Sequence, residues 1–246
     1  MIKLSLITVS LNSQKIIKRT IDSINNQTSK EFETIYVDGK SNDETIDIIK
    51  KNYRDNDKLI VESDKGSYEA MNKGIKASNG YIIGILNSGD TLAKNNIIEK
   101  IITYFENNED DIIYGHSLVF KKDKIVRRNI SPEFNEQLMF NGWFPSHQSI
   151  YIKKKIYEEY NFYNTRFKIS SDYDFFLKVV LSKKFKINLL DEYIVNFYLG
   201  GKSNKSIKNI LISNYECYLS WKINYNKIYL KTIPFKLIRK VFQKFS

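Results

Sequence analysis

The stretch Ser63–Asp90, SDKGSYEAMNKGIKASNGYIIGILNSGD, decides the fold class of this chain. It reads as a helix of small and polar residues, a Ser-Asn-Gly turn, an apolar strand from Tyr81 to Leu86, and a carboxylate, Asp90, at the strand's end. In an open α/β sheet, ligands bind outside the carboxyl ends of the strands. Asp90 beside the flexible Ser88-Gly89 pair is a hard oxygen ligand, suited to Mg²⁺ or Mn²⁺ carrying a diphosphate.

On the N-terminal side the same alternation repeats. Lys3 to Val9 and Glu33 to Val37 are β-rich apolar runs, and Leu59 to Val61 is a short third strand. Between them, Ile17, Ile21 and Ile24 share one helical face, as do Ile46, Ile49 and Tyr53. Ser41-Asn42-Asp43-Glu44 has the spacing of a capping box opening the second helix. A helix over 95–106 and a strand from Ile112 to Tyr114 complete the series. Strand-helix alternation of this kind implies a parallel sheet with right-handed crossovers. Beyond it the pattern changes. Ser117 to Phe120 and Ile125 to Arg128 predict a hairpin, and further strands are expected near Gln148 to Ile152, Lys186 to Leu189 and Tyr193 to Tyr198. A helix is expected over about 172–182.

Composition sets bounds on the class. The apolar fraction of 42% suffices for a sizeable core in 246 residues, and the single cysteine, Cys217, excludes an internal disulfide. No charged-then-apolar leader and no apolar run of about 18 residues is present, so a cytoplasmic protein without a membrane span is expected. The net charge of +11 is uneven: residues 201–246 hold 10 of the 39 Lys and Arg, but only Glu216 of the 28 acids. A basic tail, rather than a protein-wide nucleic-acid surface, follows from this distribution.

The Ser63–Asp90 stretch resembles the inverting family 2 glycosyltransferases of the GT-A fold, in the capsule, O-antigen and colanic-acid-type branch. Members of that branch read roughly D-K-G-I-Y-D-A-M-N-K-G-I and then L-N-S-(G/D)-D. The resemblance implies an α/β GT-A fold: a mostly parallel Rossmann-like sheet flanked by helices, a smaller mixed β region on the acceptor side, and here a basic helical tail. It divides the chain into a transferase domain over 1–204, with a nucleotide-sugar half over 1–115 and an acceptor half over 116–204, followed by the tail over 205–246.

Candidate site residues gather at the strand ends. Asp38, beside Gly39, either caps its turn or accepts from a nucleobase or ribose; in the family the equivalent aspartate contacts the base, within the motif matched by Asp38, Gly39, Ser41, Asp43 and Thr45. Thr8 and Ser10 stand where the family contacts the nucleoside. Asp64 lies at the expected ligand edge, with Lys65 as a weaker phosphate contact, and Asn72 serves either ligand or packing. Met71 replaces an arginine common in relatives. The family's D-x-D metal motif appears as Asn87, Ser88, Gly89 and Asp90, with only its last acid kept. In SSDYDFFLKV, Asp172 and Asp174 lie about 200° apart on a helix and cannot share one role. The resemblance makes Asp172 the general base, with Ser171 replacing a common glutamate. His147 and Gln148 are candidates for acceptor, phosphate or metal, and Trp143 with Phe144 for sugar stacking. His116 reads as a turn residue. Gly201 and Ser203, in a G-G-x-S run, suggest a loop closing over the diphosphate.

From Thr232 a second signal begins. Phe235, Ile238, Val241, Phe242 and Phe245 gather on one helical side and Lys236, Arg239, Lys240 and Lys244 on the other. Such a helix either lies on an anionic membrane surface or docks on its own domain. The expected function is metal-dependent inverting sugar transfer from a UDP-linked donor to a glycan or lipid-linked acceptor, with Mn²⁺ or Mg²⁺ as cofactor. Its rivals are a sugar-1-phosphate nucleotidyltransferase, disfavoured because SLNSQKIIKR is not glycine-rich, and a non-catalytic membrane-surface binder.

Overall fold

The computed structural model describes residues 1–199 and 207–225. The expected loop at Gly201 and Ser203 and the amphipathic segment 232–246 lie outside them. The first half alternates as anticipated: β1 (Leu4–Ser10), α1 (Ile17–Asn25), β2 (Phe32–Asp38), α2 (Thr45–Asn52), β3 (Lys58–Val61), α3 (Ser67–Ala77), β4 (Ile82–Ile85), β5 (Thr91–Leu92) and α4 (Ile97–Asn107). There follow β6 (Ile112–Lys121), β7 (Lys124–Asn129), α5 (Gln137–Phe140), β8 (Ile150–Lys153), α6 (Lys154–Glu159), α7 (Ser171–Ser182), β9 (Ile187–Tyr198) and α8 (Ile207–Tyr225).

The strands form one sheet in the order β3-β2-β1-β4-β8-β6-β9-β5, with β7 paired to β6 at the side. β3, β2, β1 and β4 are parallel, in the register Ser10↔Asp38↔Val61 and Leu4↔Ile82. β8 inserts antiparallel between β4 and β6, which leaves β6 running the same way as β4. The central strands are apolar on both faces because helices cover both. Leu4, Leu6, Ile21, Ile49 and Ile101 pack on the α1, α2 and α4 side, and Ile7, Val37, Ile75, Phe176 and Trp221 on the other. Each such side chain contributes about 1.5–3 kcal/mol on burial. α3 approaches the sheet closely at Gly74, where a Cβ would meet Ile7 Cγ2 at 2.5 Å.

Four local expectations are corrected. No capping box forms at Ser41: α2 begins at Thr45, and Asp43 takes the Thr45 N–H and hydroxyl while Ser41 bonds Asp38. The strands expected at 112–114 and 117–120 are one strand, β6, and those at 186–189 and 193–198 are one strand, β9. Their mutual parallel pairing carries the backbone through the Gly115-His116 break, with register shifts on either side of His116. His116 is accordingly a buried strand residue, 2.8 Å from Asp191 and accepting from Ser131 N at 3.1 Å, and not a turn residue. Before β8, His147–Ser149 forms a single 3₁₀ turn rather than strand.

Candidate active site

Parallel pairing brings the carboxyl ends of β1 to β4 to one edge. There Asp38 is wholly buried, and it accepts from Ser10 Oγ at 2.7 Å, Ser41 N at 2.6 Å and Ser41 Oγ at 2.7 Å. It fastens the turn, and Ser10 is one of its fasteners. Thr8 is also wholly buried, with its hydroxyl unpartnered. Asp64 sits against Gly39, where a Cβ would lie 2.7 Å from its Oδ2; its other oxygen accepts from Gly66 N at 2.9 Å. Lys65 is exposed beside it. The Asn72 amide donates to Tyr163 O at 2.8 Å and accepts from Tyr163 N at 3.0 Å, clamping a loop to α3. Met71 is core.

The loop Asn87–Asp90 is tied from three directions. Thr20 of α1 accepts from Gly89 N and donates to Asp90 O, both at 2.8 Å, while Ser88 Oγ donates to Ser13 Oγ at 3.1 Å. Gln148 spans the loop, accepting from Asn87 N at 2.6 Å and donating to Asp90 Oδ2 at 2.7 Å. The backbone N–H of Tyr198, at the end of β9, donates to Asp90 Oδ1 at 3.0 Å. Burial raises the carboxyl pKa of Asp90 above its ordinary value, against the opposing pull of the Gln148 and Tyr198 hydrogen bonds.

His147 continues the chain of contacts toward Asp172. Its Nε2 is 3.3 Å from Asn87 Nδ2, and its Nδ1 is 3.6 Å from Asp172 Oδ2. On the other side the Tyr68 hydroxyl lies 2.8 Å from Asp172 Oδ1 and 2.7 Å from Ile169 O. Burial, followed by the Asp172 charge, pushes the Tyr68 phenol above its ordinary range, so it remains a donor.

Asp172 stands in the first turn of α7, and α8 braces that turn. Glu216 is buried and accepts three consecutive backbone N–H groups, from Lys168 at 2.7 Å, Ile169 at 2.9 Å and Ser170 at 2.8 Å. Asp174 points away from Asp172 to α8, accepting from Ser220 Oγ at 2.8 Å and Asn224 Nδ2 at 2.7 Å. Trp221 Nε1 donates to Tyr173 OH at 2.8 Å. The first part of the basic segment is thus packed against α7 and the loop before it.

Trp143, expected to stack on a sugar, is buried with its ring edge-on to Tyr114 at 5.4 Å. Thr20, Tyr68 and Glu216 escaped the sequence reading. Tyr68 lies inside the motif helix, and Glu216 is the lone acid of a basic segment, which are the signals that could have marked those two.

Among the described residues no group of three or more His, Cys, Asp or Glu is placed to hold a metal. The donor set nevertheless fits a hard divalent ion whose remaining ligands are diphosphate and water. Asp90 supplies one carboxylate, and the neighbouring Asn87 Oδ1 is a buried oxygen with no hydrogen-bond partner.

An open, mostly parallel sheet with an inserted antiparallel strand, helices on both faces and carboxylates at its carboxyl edge is the architecture of the GT-A glycosyltransferases. It overlays TarS of S. aureus, solved with UDP-GlcNAc, with a TM-score of 0.71 at 16% identity, covering 94% of this chain and 69% of that one. The mannosyltransferase PcManGT of Pyrobaculum calidifontis, solved with GDP-Man and Mn²⁺, gives 0.67 at 11% identity over 92% and 64%. An uncharacterized glycosyltransferase of Methanocaldococcus jannaschii is 28% identical over 222 residues, 85% of this chain and 76% of the relative. Residues 5–172 match the model of glycosyl transferase family 2, and the chain belongs to that family of enzymes.

Proposed function

We propose that this glycosyltransferase is an inverting enzyme that moves a sugar from a UDP-linked donor, with Mn²⁺ or Mg²⁺ at Asp90, to a hydroxyl of a glycan or lipid-linked acceptor. Its setting is the assembly of a bacterial surface polysaccharide of the capsule or O-antigen kind, at the inner face of the cytoplasmic membrane. Among the described residues no helix is long and apolar enough to cross a membrane.

The observation that carries the reading is the unbroken run of contacts from Asp90 through Gln148, Asn87 and His147 to Asp172. It links a metal-suited carboxylate to a candidate base. Asp172 removes the proton of the acceptor hydroxyl as that oxygen attacks the anomeric carbon. The bond from that carbon to the diphosphate oxygen breaks on the opposite face, which inverts the centre without a covalent enzyme intermediate. Held by Asp90, a divalent ion would supply neutralising charge for the departing diphosphate. Tyr68 holds one oxygen of Asp172, and His147 stands 3.6 Å from the other. Neighbours solved with UDP-GlcNAc and GDP-Man support a nucleotide-sugar donor.

Calorimetric titration of UDP with Mn²⁺, and again with chelator, tests the donor site. Binding is expected only with the metal and is expected to be lost in Asp90→Ala. Binding by the chelated protein or by the variant would remove Asp90 from the site. Metal-supported binding should also weaken as pH falls through the raised pKa of Asp90, at a higher pH than an ordinary aspartate would require, because only the ionised form ligates. Gln148→Leu removes one bond to Asp90 and another to Asn87. At about 1.5–3 kcal/mol for a hydrogen bond to a charged group, the same titration should show UDP affinity reduced roughly tenfold to hundredfold.

A further inference from the structure

The β6–β7 hairpin leaves the sheet at the edge that carries the site. β6 is parallel to β9 and pairs Phe120 with Tyr198, the residue whose N–H holds Asp90. The Phe120 and Tyr198 rings stack at 5.2 Å. Beyond this point the hairpin carries Lys121, Lys122 and Lys124 against a single acid, Asp123, and Arg127 and Arg128 follow on β7 opposite Val119 and Leu118. None of the five cations forms an ion pair among the described residues, and Arg127 Nε is buried without a partner.

Apolar side chains alternate with these charges. A register shift between Val119 and Phe120 leaves Val126 as the extra residue of a bulge. Ile125 pairs Phe120 and Arg128 pairs Leu118, so Ile125 and Arg128 share a face, with Ile130 next in that alternation, while Lys124 and Arg127 share the other. Val126 is 49% exposed, Ile130 68% and Ile125 39%. A soluble polyanion would account for the cations but leave the isoleucines and valine in water. An apolar protein partner would bury those side chains and leave the charges uncompensated. A bilayer interface accepts both, with apolar tips among the acyl chains and cations at the anionic headgroups.

We propose that the β6–β7 hairpin is a docking surface for an anionic lipid bilayer, seating the ligand edge of the sheet against the membrane. The surface deepens the membrane-side reading above and rests on it only for the acceptor's origin. It is separate in sequence from the segment 232–246, and through Tyr198 it adjoins Asp90.

The test uses the full chain with Val126→Cys labelled by a nitrobenzoxadiazole dye. Cys217 is buried at 4% exposure, so the label is confined to the new thiol. Lys51→Cys on α2, at the opposite end of the sheet, is the control. With phosphatidylcholine vesicles containing phosphatidylglycerol, the dye at 126 should shift to the blue and be quenched by acyl-chain spin labels. The dye at 51 should do neither, and pure phosphatidylcholine should have no effect. Changing Lys121, Lys122 and Lys124 to Gln should weaken the partitioning roughly a hundredfold, at about 1 kcal/mol per cation, without altering UDP binding. A dye at 126 that stays in water while the protein sediments with vesicles would overturn the proposal, leaving the lysines as guards of an edge strand. So would failure to bind vesicles, or a response to soluble polyphosphate and not to vesicles. Loss of UDP binding with an intact lipid response would instead strike the donor-site reading alone.

Discussion

Asp172→Asn is expected to lower kcat by roughly two to four orders of magnitude, the usual contribution of a positioned general base, while UDP binding stays intact. The amide keeps the size of the carboxylate and can still meet Tyr68 at one end, but it cannot take up the acceptor proton. In the proposed mechanism donor binding rests on Asp90 and the strand ends, which the substitution does not touch. Turnover measured beside UDP calorimetry separates the two. An unchanged kcat would place the base elsewhere, and a joint loss of turnover and UDP affinity would mean that the change disturbed the donor loop through His147. Tyr68→Phe should have a smaller effect in the same direction, since it frees one oxygen of Asp172 without removing the base.

Glu216→Ala should produce the largest stability loss of any single change considered for this chain. It leaves the Lys168, Ile169 and Ser170 N–H groups without their acceptor in a buried place, at about 1–3 kcal/mol for each group left unsatisfied. Part of that cost is relieved by water entering the gap, so a total of about 3–5 kcal/mol is expected. For a chain of this length that corresponds to a fall in Tm of roughly 10 °C. Glu216→Gln keeps one acceptor oxygen and should fall between. Thermal unfolding of the three proteins tests this, and equal melting temperatures would show that the loop before α7 does not depend on α8. The variant should also lower kcat below its melting range, because the loop it frees leads directly into the turn that carries Asp172.

The alternating N-terminal half was legible because its signals are local. Apolar runs of strand length, helical faces such as Ile17, Ile21 and Ile24, and a carboxylate at the end of Tyr81–Leu86 are read from neighbours in the chain. The capping box at Ser41 failed for a reason the local pattern does not contain. Asp38, held in place by β1, draws the serine's backbone N–H and hydroxyl to itself.

The sequence alone determined the alternating α/β half, the carboxylates at its strand ends and the family motif over Ser63–Asp90, because periodicity and turn chemistry act over a few residues. Only the tertiary structure decided which of those residues meet. β6 and β9 became continuous through their pairing with each other, across polar breaks that read as turns. Gln148 reached Asp90 across 58 positions, Tyr68 reached Asp172 across 104, and Glu216 reached Ser170 across 46. Contacts at such separations follow from how the sheet stacks its elements, and each partner carries little trace of the other in its own surroundings. A lone glutamate in a basic segment and a tyrosine in a motif helix become parts of one site only when packing brings α3, α7 and α8 together.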